Sequence, residues 1–198
     1  MKKRIKEQSI IFYSVAKWVF LSVIVGCMVG VSTAIFLKAL NWSSDTASLH
    51  KYYFFLLPLA LFLSALIIKF LAPDAEGHGT EKVIEAIHKN DGIIKAAVVP
   101  VKLVATIITI ALGGSAGKEG PCAQIGAGIA STFARLFRFD AHDRKKLVIC
   151  GISAGFASVF GTPIAGALFG VEVLFVGTIL YDVMLPSFIA GVISYNVS

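Results

Sequence analysis

The chain has 198 residues, 57% of them hydrophobic and only 15% charged, with a mean hydropathy of +0.82. Soluble domains run at about 45–50% apolar and about 25% charged, and a globule of this size could not hide the surplus, so composition selects a membrane protein and excludes a disordered chain or a disulfide scaffold. The net charge of +6 gathers in two clusters, Lys2, Lys3, Arg4 and Lys6, then Arg135, Arg138, Arg144, Lys145 and Lys146, beside apolar sequence, which suits topology signals and lipid headgroups rather than nucleic acid.

A basic start followed by an apolar run from Ile10 mimics a signal peptide. The run continues to about Leu40 with only Lys17 and Lys38 inside it, so segment 10–40 is expected to remain as a tilted transmembrane helix. Residues 41–51 read as a polar loop and 52–71 as a second span, closed by Ala72-Pro73-Asp74. Segment 74–92 is the most polar interior stretch. After Thr80 the apolar residues Val83, Ile84 and Ile87 recur at helical spacing, which predicts a short amphipathic helix opened by the turn Gly77-His78-Gly79. Segment 93–113 is apolar again, with Pro100 expected to kink or break it. A glycine-dense stretch runs from Gly113 to Pro121, followed by a helix over about 121–137 and a basic loop over 138–146. Apolar segments 147–160 and 163–176 are split by Gly161-Thr162-Pro163, and a last one runs over 180–197.

Several of these segments are shorter than the roughly 20 residues a full crossing needs. Half-length apolar helices separated by Gly and Pro breaks occur where backbone lines a cavity at membrane depth, as in channels and transporters. The expected fold is an all-α polytopic membrane protein, a single membrane domain over 1–198 with no soluble domain. Its helices are expected to pack through the pairs Gly26/Gly30, Gly151/Gly155 and Gly166/Gly170. Both basic clusters are assigned to the cytoplasmic side of a plasma (inner) membrane, with the N-terminus cytoplasmic and 41–51 external. Cys27, Cys122 and Cys150 are widely separated in apolar sequence and read as buried small hydrophobes.

Glu119 is the acid on which function is expected to turn. It opens a helix, follows glycines that permit close approach, and precedes Pro121, which suits a first helical turn. Free N–H groups and the helix dipole welcome an anion at such an end. A carboxylate already there competes with a diffusing anion, and protonating it or swinging it away vacates the place. The bland alternative is a glutamate that merely caps its helix.

Three look-alikes are weighed beside it. Gly114-Ser115-Ala116-Gly117-Lys118 suggests a P-loop, but Glu119 stands where Ser or Thr is needed and Leu112 where a glycine is needed. Gly151-Ile152-Ser153-Ala154-Gly155 matches GxSxG and raises an intramembrane hydrolase. The partner His should follow the Ser, yet His50, His78, His88 and His142 all precede it. His78, Glu81, Glu85 and His88 lie at helical spacing but make no tight tetrahedral set, so a solvated face is expected and no metal.

Gly117-Lys118-Glu119-Gly120-Pro121 followed by Gln124-Ile125-Gly126 resembles the G-[RK]-E-G-P motif of the chloride channel/transporter (CLC) family. Gly77-His78-Gly79 is similar to that family's G-S-G-x-P turn. The stretch from Thr162 to Glu172 resembles its x-P-x-A-G-x-x-F-x-x-E helix, and the stretch from Gly26 to Trp42 its first membrane helix. The resemblance implies CLC-like broken and re-entrant helices, one half of an inverted repeat. It implies an anion channel gated by Glu119 rather than an enzyme, with chloride as cargo and no cofactor. The anion would be held by Gly77, His78, Gly79, Gly117, Lys118, Glu119, Gly120 and Pro121. Homodimer contacts would run through 147–176 and 180–197.

Three departures shape these expectations. His78 stands where the family has an anion-coordinating Ser, so imidazole or backbone would serve. Val173 follows Glu172 where proton-coupled members carry a second glutamate, which favours passive conduction over proton-coupled antiport. Finally, the resemblance reaches only the first half of a family subunit. The chain is therefore expected to be a fragment or split half, or else to rebuild a pore from oppositely oriented copies.

Overall fold

A single helix, α1, runs over Lys2–Ser48 in the computed structural model of the protein, which describes residues 2–174 and 181–198 and side chains from Phe12 onward. At 1.5 Å per residue it is about 70 Å long. The polar residues 41–48, expected as loop, extend the helix instead. No glycine or proline occurs between Gly30 and Pro58. The hydroxyls of Thr46 and Ser48 donate back to the carbonyls of Trp42 and Asp45, both at 2.7 Å, so polarity here is satisfied inside the helix.

A 3-10 turn over Tyr53–Leu56 leads into α2 (Leu57–Leu71), with Pro58 in its first turn. This helix buries only Ala60 and Ser64, while Leu59, Phe62 and Phe70 stand exposed. Exposed apolar area on that scale is stable against lipid, not water. Another 3-10 turn, Pro73–Ala75, precedes α3 (Thr80–Lys89), where the amphipathic helix was expected. Next comes α4 (Val98–Ala111). Pro100 neither kinks nor breaks it. The proline sits in the first turn, where its missing N–H has no intrahelical partner to lose.

The remaining elements are α5 (Glu119–Leu136), α6 (Ala141–Phe160), α7 (Pro163–Glu172) and α8 (Tyr181–Val197). Much of the expected basic loop 138–146 is the start of α6, because the Asp140 side chain caps it by accepting from the Asp143 N–H at 2.8 Å. Gly161 ends α6 in the left-handed region at φ 68°, and Pro163 opens α7. Residues 175, 176 and 180 of the expected apolar segments lie outside the described residues.

The core centres on α6, whose Leu147, Val148, Ile149, Cys150 and Ile152 are fully buried among α1, α5, α7 and α8. Small residues set the helix separation as expected. A Cβ on Gly26 or Gly30 would lie 2.8 Å from the Ala190 or Ser194 carbonyl of α8. One on Gly151 would lie 2.8 Å from Ala130 of α5, and one on Gly166 2.8 Å from the Ser153 carbonyl. Such approach leaves backbones in van der Waals contact. Of the cysteines, Cys122 and Cys150 are buried, but Cys27 is only half-buried.

Candidate functional site

Two glycine-flanked loops meet where α3 and α5 begin. Gly77 and Gly79 adopt φ of 78° and 107°, which L side chains avoid. A Cβ on Gly79 would lie 2.8 Å from the Gly120 carbonyl, and one on Gly120 would collide with the His78 carbonyl. The two helix N-termini are therefore pressed together, backbone on backbone. No side chain caps either helix. The leading N–H groups of α3 and α5 stay available to an outside acceptor, and both dipoles present their positive ends.

Around this junction the expected residues gather. Glu119 is half-buried and folds its carboxylate back over Gly117. Pro121 is buried in the first turn of α5, whereas Lys118 is exposed. The exposed His78 places Nδ1 3.4 Å from the Thr80 hydroxyl and beside Gly120. Glu172 and Val173 are not brought here. They end α7, next to Leu174, whose carbonyl meets His88 Nε2 at 2.7 Å. His88 lies at the far end of α3, about 12 Å from its N-terminus.

The look-alikes do not assemble. Ser153 is fully buried in the α6–α7 seam against Gly170, with no hydrogen-bond partner for its hydroxyl among the described residues. A hydroxyl sealed in that seam is out of reach of a substrate arriving from outside. His78 and His88 sit at opposite ends of α3, and Glu85 pairs with Lys82 and Lys89 at 3.7 and 3.3 Å.

The family described as "Voltage gated chloride channel" matches residues 59–198. The chain belongs to that family. It is 36% identical over 196 residues to a chloride/fluoride channel protein of Pseudomonas syringae pv. tomato, across 99% of this chain and 43% of the relative. It is 31% identical over 166 residues to an H(+)/Cl(-) exchange transporter of Salmonella schwarzengrund, across 77% of this chain and 35% of the relative. Among solved structures, a CLC-type fluoride/proton antiporter matches with a TM-score of 0.84 at 27% identity, over 94% of this chain and 47% of that one. The chain thus spans less than half the length of these relatives, and the CLC fold is the frame in which its broken helices belong.

Two side chains that support the CLC loops escaped the sequence reading. Lys102 on α4 is 5% exposed, and its ammonium donates to the carbonyls of Ala75 at 3.0 Å and Gly77 at 2.6 Å. It is the lone charge between Lys95 and Lys118, a signal that could have found it. Gln124 on α5 donates to the Asp74 carbonyl at 2.9 Å. In the sequence it stands out only as part of the run Gln124-Ile125-Gly126.

Proposed function

We propose that the protein carries chloride or another small anion across a membrane through a site built on the N-termini of α3 and α5, gated by Glu119. One observation carries this: residues 77–79 and 117–121, forty positions apart, are pressed into a single uncapped, electropositive junction with one carboxylate folded over it. In this reading Gly77, His78, Gly79, Gly117, Lys118, Gly120 and Pro121 frame the anion. Backbone N–H groups supply most of the field, with the His78 imidazole in place of a hydroxyl. Glu119 competes for the same ground and yields it when neutralised or displaced.

Proton-coupled exchange is a second reading, favoured by the names of the exchange transporter and the antiporter to which the chain is similar. Glu119 would then also carry the proton. Val173, beside Glu172, offers no carboxyl of its own for an inner relay, which weights the balance toward conduction. An exposed apolar groove between α7 and α8, lined by Ile164, Leu168, Leu185 and Phe188, is the face we assign to pairing with a second copy. The membrane is assigned as the plasma (inner) membrane, with the N-terminus cytoplasmic.

Liposomes containing the full chain test both readings. Chloride and fluoride efflux and accompanying proton movement are recorded for wild type and Glu119→Ala. The expected result is anion efflux in wild type, with gating by voltage or pH abolished in Glu119→Ala. Proton movement in fixed ratio to the anion would select exchange. Efflux gated identically in both proteins would remove Glu119 from the gate.

A further inference from the structure

Far from the helix junction, the charged end of α1 builds a cleft with two opposite poles. Trp18 lies among Lys17, Lys146 and their acids, and α1 then carries no charge from Val19 until Lys38. An aromatic and cationic collar before an apolar run marks the level of lipid headgroups. Between α1, α6 and α8 lies a cleft of 310 Å³, whose walls include Ser14, Val15, Trp18, Lys146 and Asp182. That volume is at the lower end for small-ligand sites, which run from about 300 to 1,000 Å³.

The donor pole is Lys146. Its side chain is 15% exposed and held in place, with the ammonium 2.5 Å from Asp182 Oδ2 and 5.3 Å from the Trp18 ring centroid. An ammonium carries three N–H donors, so Asp182 leaves others to give. The acceptor pole is Asp182 itself, whose side chain is 55% exposed and meets no other cation among the described residues. Pro186 also lines the cleft, one turn further along α8, and brings no N–H to the Asp182 carbonyl. That carbonyl is a second acceptor for a donor from outside the helix. Val19 and Leu185 continue the wall in the direction of the apolar run.

We propose that this cleft binds a zwitterionic phospholipid with a primary ammonium, phosphatidylethanolamine, its phosphate on Lys146 and its ammonium on Asp182. Each pole of the headgroup meets a fixed opposite charge through charge-assisted hydrogen bonds, and the acyl chains follow Val19 and Leu185. Lys146 and Asp182 are neutral as a pair, which matches a zwitterion. An anionic lipid would set an uncompensated charge beside the Asp182 carboxylate. A choline headgroup has no N–H to give. The Trp18 ring, with the Lys17 and Lys146 ammoniums each 5.3 Å from it, is not free to cage one. The bound lipid clasps the start of α8 to α1 at the membrane surface, whichever ion the protein carries.

The test is native mass spectrometry of the full chain, delipidated in detergent and titrated with lipids of identical acyl chains. The headgroups are ethanolamine, its mono- and dimethylated forms, choline and glycerol. Wild type is expected to bind the ethanolamine lipid about tenfold more tightly than the choline or glycerol lipid, the effect of a hydrogen bond to a charged group. Affinity should fall stepwise as methyl groups replace N–H donors. Val15→Trp fills the cleft without touching either ion pair and is expected to erase the preference. Asp182→Asn removes the acceptor charge and is expected to do the same. It decides the matter if circular dichroism shows that Val15→Trp does not fold. Equal binding of all headgroups by wild type overturns the proposal, and so does a preference that survives in the folded variants. Tightest binding of the glycerol lipid overturns it too, leaving a basic patch without a second pole.

Discussion

At the scale of single residues, the junction depends on an absent side chain. A Cβ at Gly120 collides with the His78 carbonyl, which is backbone and cannot swing aside. Gly120→Ala must push the loop before α3 away from α5, at a cost of about 1–3 kcal/mol. The expected outcome is a lower Tm and strongly reduced anion flux in liposomes. Gly77→Ala is the informative contrast. Its Cβ meets nothing within 4 Å, and the φ of 78° is its one difficulty, a strain of roughly 1–2 kcal/mol. Its flux should fall less than that of Gly120→Ala, and equal losses would mean that loop strain, not helix approach, controls the site.

At the scale of elements, helix ends decide where the chain turns. The Asp140 side chain holds the first turn of α6 through the Asp143 N–H at 2.8 Å, a cap worth about 1 kcal/mol. Asp140→Ala should lower Tm by about 2–4 °C while leaving flux unchanged, because α5 and α3 keep their junction. Differential scanning calorimetry and an efflux assay on the same protein check both halves. A cap of this kind is easily missed in the sequence, and residues 141–146, expected as loop, open α6 behind it. Hydropathy located the membrane segments, and the contiguous motif from Gly117 to Pro121 located the candidate gate, since the chemistry there lies in neighbouring residues. The polar residues 41–48 misled because Thr46 and Ser48 bond within their own helix. The role of Lys102 was hidden for a different reason. Its partners, Ala75 and Gly77, lie about two dozen positions upstream, and no local pattern records a contact at that range.

At the scale of the whole molecule, ion pairs fix which ends of the helices lie together. Lys17 on α1 pairs with Asp143 at the start of α6, and Lys146 pairs with Asp182 at the start of α8, both at 2.5 Å. Trp18 lies between the two lysines, with each ammonium 5.3 Å from its ring. The second basic cluster therefore sits beside the N-terminal third of α1, on the side of Lys2 to Lys6. From Lys17 to Ser48 the same helix climbs about 45 Å, more than the roughly 30 Å of a hydrocarbon core, so His50 emerges at the opposite face. Positive charge tends to be retained on the cytoplasmic side, and by that rule Arg138 is expected inside and His50 outside. Single-cysteine labelling of intact cells with a membrane-impermeant maleimide checks this. The background is low because Cys122 and Cys150 are buried and Cys27 lies half-buried within a span. His50→Cys should label in intact cells, and Arg138→Cys only after permeabilisation. The reverse pattern would invert the protein in its membrane, and labelling of both in intact cells would mean that copies insert in both orientations.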